Sequence, residues 1–135
     1  MRVVINKCHG GFGISVDALY ELIKMNSDIV TKMPIEEYTH DVDRTKKEFE
    51  SFKNGFMKHK CLEILFDGKY IYFMNRHAES VRCHPDLINI VEKLGDAANG
   101  ASAKLKIVKI PDDVEWTIEE YDGLEWVAEK HRTWG

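Results

Sequence analysis

Apolar and polar side chains alternate along the C-terminal part of the chain, which is the pattern of half-buried β-strands. The run from Leu105 to Ile110 predicts one strand, and residues 116–129 predict a β-hairpin. The two arms of this hairpin meet at Asp122-Gly123. Asp-Gly favours a type I′ turn, because both central residues of that turn need positive φ.

A two-residue turn also fixes which hairpin residues lie opposite each other. Tyr121 should pair with Leu124, and Glu120 with Glu125. Two carboxylates directly opposite repel each other unless solvent screens them or a cation lies between them. The sequence leaves three environments open for this pair: solvated carboxylates, a Lys or Arg partner, or a metal ion.

A second Asp-Gly pair, Asp67-Gly68, predicts another hairpin over residues 62–73. One face of this hairpin collects most of the apolar side chains, namely Leu62, Ile64, Phe66, Ile71 and Phe73, together with Lys69. The other face carries Glu63, Leu65, Tyr70 and Tyr72. We interpret the two tyrosines either as ordinary sheet surface or as a stacking platform for a nucleobase.

Two helices are predicted from apolar spacing and from their end residues. Val16 to Met25 has an apolar side chain at every third or fourth position, with Ser15 as N-cap. Pro85 to Leu94 has the same spacing, begins with proline at its first helical position and is followed by Gly95. Before the first helix, the β-branched residues in Arg2 to Cys8 predict a buried strand.

Residues 26–60 are the least legible part of the chain. Pro34 interrupts any long helix. Farther on, residues 41–57 predict an amphipathic helix, because the side chains Val42, Thr45, Phe49, Phe52 and Phe56 have approximate helical spacing. Such a helix would pack on the sheet, or it would serve as a lid or a partner-binding face.

Together these elements predict an α+β fold in a single domain, residues 1–135. A mainly antiparallel sheet would combine the N-terminal strand, the two Asp-Gly hairpins and Leu105 to Ile110. Two or three helices would pack on one face of this sheet. A chain of 135 residues is long enough to bury a core without disulfides or metals.

Composition and charge exclude some classes of function. The net charge of −4 argues against a nucleic acid polymer as partner, because such binders carry a basic excess. Three cysteines without C-x-x-C spacing predict neither a disulfide framework nor a zinc site. No cofactor or metal is predicted. The absence of an apolar segment of roughly 20 residues leads us to expect a cytoplasmic protein with no membrane partner.

The glycine-rich run His9-Gly10-Gly11-Phe12-Gly13 follows the first strand and precedes the first helix. This order is typical of loops that bind phosphates, because glycine lets backbone N–H groups approach an anion closely. The spacing matches no specific phosphate-binding motif. The loop is therefore interpreted as an anion site or as a structural loop in which Phe12 fills the core.

Basic side chains cluster within nine positions of the chain: Arg76, His77, Arg82 and His84. An arginine cluster beside a helix N-terminus suits phosphate, which arginine binds through two parallel hydrogen bonds. The same cluster would also neutralise Glu120, Glu125 and Glu129. Near the C-terminus, Arg132 and Trp134 are typical of a docking element over a ligand or a subunit interface.

Four segments together resemble a group of small proteins found in tailed-phage and bacterial genomes. They are G-G-F-G-x-S from Gly10, R-x-x-P-D-L-I-x-x-V-E-x-L-G from Arg82, A-K-L-K-I-V-x-I-P-D-D-V-E-W from Ala103 and E-Y-D-G-x-E-W-V-A-E-x-H-R-T-W from Glu120. The resemblance covers the first 25 residues and nearly everything from Arg82 onward, so residues 26–60 would be a family-variable insertion. It implies a viral setting in a bacterial host. It further implies a counter-defence protein, such as an oligomeric sponge that sequesters a nucleotide immune signal.

The leading hypothesis is a homo-oligomeric, non-enzymatic binder of a small nucleotide-type ligand, either a cyclic dinucleotide or an ADP-ribose derivative. The predicted contacts with phosphate and base are Gly10, Gly11, Phe12, Gly13, Arg76, His77, Arg82, His84, Tyr121, Arg132 and Trp134, with Tyr72 as a further stacking candidate. One alternative is a nucleotide-cleaving hydrolase that uses Glu120, Glu125 or Glu129 with His77, His84 or His131. A protein–protein inhibitor is the other, with Trp126, Trp134 and the Phe49, Phe52 and Phe56 side chains as anchors.

Overall fold

The computed structural model describes residues 1–130, apart from the side chain of Lys53, and it has the predicted α+β fold. Within this range the strands are β1 (Arg2–Asn6), β2 (Val30–Pro34), β3 (Phe49–Ser51), β4 (Met57–His59), β5 (Leu65–Phe66), β6 (Tyr70–Met74), β7 (Leu105–Lys109), β8 (Trp116–Tyr121) and β9 (Leu124–Glu129). The helices are α1 (Val16–Lys24), α2 (Ile35–Tyr38), α3 (Val42–Lys47), α4 (Glu79–Arg82) and α5 (Pro85–Leu94), with 3₁₀ segments at Lys53–Gly55 and Gly95–Ala98.

Within residues 1–130 the strands form three antiparallel sheets, where the sequence predicted one. The largest has five strands in the order β2-β6-β5-β4-β3, while β1 pairs with β7 and β8 pairs with β9. Helices α1 and α5 pack against each other, with α1 against β2, β5 and β6 and α5 against β1 and β7. The helix pair therefore joins two sheets, because each helix buries its apolar stripe against a different one.

The five-stranded sheet buries both of its faces. Leu65 and Met74 face the helix pair in the main core, together with Leu19, Leu22, Leu87 and Ile90. On the opposite face Phe66 and Ile71 pack with Ile35, Phe49 and Ile64 in a second core. Alternate residues of one strand thus enter two different cores, as the pleat requires.

The terminal hairpin has the predicted register. Tyr121 pairs with Leu124 and Glu120 with Glu125. Asp122 and Gly123 have φ of 50° and 86°, the positive values that a type I′ turn needs. The turn dipeptide alone was sufficient to place every cross-strand pair in this hairpin.

The second hairpin has the predicted faces but a different register. The observed pairs are Leu65 with Tyr72 and Phe66 with Ile71, so the turn is centred on Gly68-Lys69 and not on Asp67-Gly68. The Asp67 carboxylate causes this change, because Oδ1 accepts the N–H groups of Lys69 at 2.9 Å and Tyr70 at 2.7 Å. Each partner shifts by two residues, and an even shift leaves the faces unchanged.

The predicted helix over residues 41–57 is wrong beyond Lys47. After α3 the chain forms β3, a turn in which Asn54 and Gly55 have φ of 67° and 80°, and β4. Two consecutive left-handed residues are incompatible with an α-helix. The aromatic spacing that suggested a helix has another cause: Phe49 packs on Phe66 in the second core, and Phe56 packs on Tyr20 and Tyr72 near the main core.

Residues 26–60 supply β2, β3 and β4, three of the five strands in the largest sheet. This segment is thus part of the sheet itself. Across residues 1–130, no helix combines the length and the apolar character needed to cross a membrane.

Candidate functional site

The glycine-rich loop connects β1 to α1 as predicted. Ser15 is the N-cap of α1, and its Oγ accepts the N–H of Ala18 at 3.1 Å. Gly11 has a φ of 94°, which side chains other than glycine rarely adopt. The loop therefore needs glycine for its conformation at this position.

Close packing explains the other glycines around this loop. A β-carbon on Gly10 would overlap the carbonyl oxygen of Ser102, and one on Gly123 would overlap the backbone nitrogens of Gly10 and Gly11. The tip of the terminal hairpin thus lies directly against the loop. Asn6 is fully buried and stabilises this junction, because its Nδ2 donates to the carbonyls of Cys8 at 2.7 Å and Gly123 at 2.8 Å.

A carboxylate from the same chain lies against the other end of the loop. Glu63 Oε2 accepts the N–H of Ile14 at 3.2 Å and lies 3.7 Å from Nη1 of Arg76. Glu63 Oε1 occupies the space that β-carbons would fill on Gly13 and Gly100. The loop therefore does bind an oxyanion group, and that group is a side chain of this protein.

Burial raises the pKa of the Glu63 carboxyl group, and this effect outweighs the lowering by the Arg76 charge and by the Ile14 hydrogen bond. The ionised carboxylate is thus held less favourably here than in water. A carboxyl group with a raised pKa inside a cleft is a typical feature of a functional site.

Glu63 lies between two cavities that also share Ile14, Leu62 and Arg76. The first has a volume of about 240 Å³ and a mainly apolar lining, which includes Tyr38, Ile64, Phe73 and Met74. The second has a volume of about 440 Å³ and lies between the glycine-rich loop, residues 58–62 and residues 99–102. We call the two cavities together the Glu63 groove.

Among the described residues, three cationic side chains line this groove: Lys58, Lys60 and Arg76. His59 also lines it, but its Nδ1 accepts the N–H groups of Cys61 at 3.1 Å and Leu62 at 3.2 Å, and its Nε2 lies 3.1 Å from Glu48. His59 therefore shapes the turn before Glu63. The lysines and Arg76 provide positive charge for an anion in the polar cavity, and the apolar cavity suits a ring.

Several predicted ligand contacts do lie at the groove. Gly10, Gly11 and Phe12 line its polar cavity, His77 lines its apolar cavity and Arg76 lines both. Gly13 touches it through Glu63. The glycine-rich loop and one of the two predicted arginines of the basic cluster thus converge, as expected from the sequence.

Arg82 lies elsewhere and is only 5% exposed. Its Nη1 and Nη2 donate to the two Glu125 oxygens at 2.7 and 2.9 Å, and its Nε donates to the carbonyl of Arg76 at 2.9 Å. These partners occupy the guanidinium, so the prediction that Arg82 contacts a phosphate is wrong. Its charge neutralises Glu125, the alternative that the sequence had left open.

Phe12 is also buried and packs against Arg82. Its ring is 7% exposed, and the guanidinium carbon of Arg82 lies 3.4 Å from the ring centroid. This cation–π contact covers a ring face that a base would need for stacking. Phe12 thus fills the core beneath Arg82 and borders the groove without serving as a stacking platform.

His84 is the N-cap of α5 and not part of the groove. Its Nδ1 accepts the N–H of Asp86 at 3.1 Å, so the ring proton is assigned to Nε2, which lies 2.8 Å from Asp28 Oδ1. The spacing of Asp28, His84 and Asp86 would accommodate a metal ion. His84 Nδ1 caps the Asp86 N–H and the Asp86 carboxylate accepts the Ser27 hydroxyl at 2.6 Å, so this cluster acts as a capping network.

Tyr121 and Tyr72, the remaining aromatic candidates among the described residues, do not line the groove. Tyr121 is 73% exposed beside the hairpin turn. The Tyr72 hydroxyl donates to Asp67 at 2.7 Å, and burial together with this bond raises the pKa of Tyr72 to about 12. Its ring packs against Phe56, so Tyr72 belongs to the packing of the sheet. His131, Arg132 and Trp134 lie outside the described residues.

Two of the three carboxylates considered for hydrolysis, Glu120 and Glu125, have structural partners. Glu125 is paired with Arg82, and Glu120 Oε2 accepts the N–H of Gly123 at 2.9 Å in the hairpin turn. The opposed pair Glu120 and Glu125 thus avoids repulsion because each carboxylate has its own donor.

Glu63, Lys58 and Lys60 are the groove residues that sequence reasoning missed. Glu63 is the single charged residue in the run Cys61 to Phe66, and an acid within an apolar run is a usable signal for a special environment. The lysines lie in or beside β4, and the Asn54-Gly55 turn signal preceding that strand was also overlooked.

Comparison of this chain with protein-family models, with curated proteins and with solved structures found no match.

Proposed function

We propose that the protein binds a small nucleotide-type ligand in the Glu63 groove without converting it. The observation that carries this proposal is the contiguity of an apolar and a polar cavity that share Ile14, Leu62, Glu63 and Arg76. A nucleobase suits the apolar cavity, which offers aromatic and aliphatic surface with Asn75 and His77 as polar contacts. Phosphate suits the polar cavity, which offers cationic side chains and a glycine-rich backbone.

The biological role that we propose is phage counter-defence by sequestration of a nucleotide immune signal, either a cyclic dinucleotide or an ADP-ribose derivative. This part rests on the resemblance of the N-terminal and C-terminal segments to small phage and bacterial proteins. The net charge of −4 supports a small ligand over a nucleic acid polymer. Homo-oligomerisation in the bacterial cytoplasm belongs to the same proposal.

Calorimetric titration against cyclic dinucleotides and ADP-ribose derivatives tests the proposal. We expect at least one of them to bind, and Arg76→Ala to weaken that binding roughly tenfold to a hundredfold, because a charge-assisted hydrogen bond is lost. Arg44→Ala is the matched control, since Arg44 is an exposed arginine on α3 that does not line the groove. Its affinity should equal that of the unmodified protein.

Two outcomes would contradict the proposal. No binding across the panel at millimolar ligand would remove nucleotide binding, and equal losses in Arg76→Ala and Arg44→Ala would place the ligand elsewhere. Mass analysis of the ligand after denaturing the complex separates binding from cleavage. An intact ligand is expected, and a cleaved one would favour the hydrolase, with Glu63 as its acid.

A protein–protein inhibitor is the second candidate, favoured by exposed aromatic side chains on the terminal hairpin. Tyr121 is 73% and Trp126 40% exposed, and both lie on the same face of that hairpin. Aromatic side chains are enriched at energetically dominant interface positions. Pull-down of a host protein that persists with Arg76→Ala and fails with Tyr121→Ala and Trp126→Ala would support this candidate.

A further inference from the structure

The surroundings of the Glu63 carboxylate have the composition of an oxyanion-binding site. The Ile14 N–H donates to it, the Arg76 guanidinium lies 3.7 Å away, and two bare α-carbons, those of Gly13 and Gly100, leave the space that its Oε1 fills. Backbone N–H groups beside glycines and a guanidinium are the groups that hold phosphates and carboxylates in proteins. We call this arrangement the oxyanion seat.

Glu63 is a replaceable occupant of the oxyanion seat. It belongs to a bend between β4 and β5, so no strand pairing holds its backbone in place. The pKa of its carboxyl group is raised because burial destabilises the ionised form more than Arg76 and the Ile14 N–H stabilise it. The ionised form is thus disfavoured in this position, and the side chain borders both cavities.

We propose that the oxyanion seat is a binding site for a phosphate or carboxylate group, which Glu63 occupies in the free protein and vacates when a ligand anion enters. That the anion belongs to a nucleotide rests on the function proposed above; the seat itself does not. Glu63 acts as a positioning residue that competes with the ligand for Ile14 and Arg76.

Charged and titratable groups line the two cavities that Glu63 borders. Arg76 and His77 follow β6, while Glu50, Lys58, His59, Lys60 and Cys61 come from β3, β4 and the bend after β4. Among the described residues of this lining, the cations Lys58, Lys60 and Arg76 outnumber the one other carboxylate, Glu50. An anion that enters the groove therefore passes a lining with net positive charge.

Truncation of the carboxylate tests this inference directly. Glu63→Ala should leave the seat empty, so formate, acetate and inorganic phosphate should each bind it saturably and raise its melting temperature. The apparent affinity should be roughly tenfold or more above that of the unmodified protein, since one nearby negative charge has been removed. Glu50→Ala is the control, because it removes a carboxylate that lines the polar cavity but bonds neither the Ile14 N–H nor Arg76.

Equal responses of Glu63→Ala, Glu50→Ala and the unmodified protein would overturn the inference, as would an equal response of Glu63→Ala to chloride at the same ionic strength. If Glu63→Ala does not fold, Glu63→Gln keeps the side-chain volume. Sulfate, whose charge is constant between pH 5 and pH 8, should then bind the unmodified protein progressively less well as Glu63 ionises. The Glu63→Gln variant should lack that part of the pH dependence, and identical pH profiles would overturn the inference.

These measurements separate the seat from the proposed function. Anions that rescue Glu63→Ala without any nucleotide binding would support the seat and remove the nucleotide. If nucleotide binds the unmodified protein but Glu63→Ala gains no affinity for the small anions, nucleotide binding would be supported and the seat contradicted.

Discussion

Glu125 and Arg82 form a buried ion pair that holds the terminal hairpin on the rest of the chain. Besides Arg82, Glu125 accepts the N–H of Asn6 at 2.8 Å, and Arg82 Nη1 also donates to the carbonyl of Val4 at 3.3 Å. The pair therefore joins α4, β1 and β9. Removal of one partner leaves a charge that is buried and unpaired.

We predict that Arg82→Met destabilises the protein by about 3–5 kcal/mol, because the buried Glu125 carboxylate loses its cation. Urea denaturation measures this change. The double variant Arg82→Met, Glu125→Leu should be more stable than Arg82→Met alone, since no charge then stays buried. Arg2→Met breaks an exposed pair with Glu92 and should cost less than about 1 kcal/mol.

A loss in Arg82→Met no larger than that in Arg2→Met would show that the Glu125 pair is not desolvated. A double variant less stable than Arg82→Met would show that the hydrogen bonds of the pair, and not burial of charge, control its contribution.

Glu63 gives the stability of the protein a defined pH dependence. Because burial raises the folded-state pKa above that of the unfolded chain, its contribution is fully present below the unfolded value, about 4.3, and is lost as pH rises through the folded value. We predict that Glu63→Gln gains stability relative to the unmodified protein as pH rises from 4 to 7. Thermal unfolding across that range measures the difference. A difference that shrinks towards neutral pH would mean that the folded protein lowers the pKa of Glu63 instead of raising it.

At the scale of elements, the two Asp-Gly turns need glycine for different reasons. Gly68 and Gly123 have φ of 98° and 86°, so alanine is strained at both. A β-carbon at Gly68 meets nothing within 4 Å, whereas one at Gly123 overlaps the backbone of the glycine-rich loop. The turn at Gly123 is therefore also a packing contact.

We predict that Gly68→Ala costs about 1–2 kcal/mol from backbone strain alone. Gly123→Ala should cost that amount plus about 1–3 kcal/mol for the overlap with Gly10 and Gly11. Chemical denaturation of the two variants gives both values. Equal costs would mean that the hairpin tip does not press on the loop.

The accuracy of the sequence predictions for these elements follows from how local their causes are. The register at Asp122-Gly123 was correct because φ at two residues decides it, and α5 was correct because its first proline and final glycine mark its ends. At Asp67-Gly68 a side-chain acceptor moved the turn by one residue. The aromatic residues after α3 have the spacing of one helical stripe, but their burial in two different cores is a tertiary effect that spacing does not reveal.

At the scale of the whole molecule, the Glu63 groove depends on segments far apart in the chain. Residues 10–14, 58–63, 74–77 and 99–102 converge there. The sequence identified the glycine-rich loop and Arg76, whose chemistry is visible without a fold. It did not identify Glu63, because the role of Glu63 depends on its contact with the glycine-rich loop at Ile14. That residue lies 49 positions away in the sequence. Arg82 was misassigned for the same reason: its partner lies 43 positions away.

The most direct test of this account follows backbone amide NMR signals while ADP-ribose and a cyclic dinucleotide are titrated into the unmodified protein. We predict saturable shifts at Gly11, Gly13, Ile14, Glu63 and Arg76, with the Ile14 amide among the largest because its hydrogen-bond acceptor changes. Signals of the exposed turn at Asp67 and Gly68 should stay in place. Shifts confined to the face that carries Tyr121 and Trp126, or no shifts with either ligand, would contradict the central claim that the Glu63 groove is the ligand site.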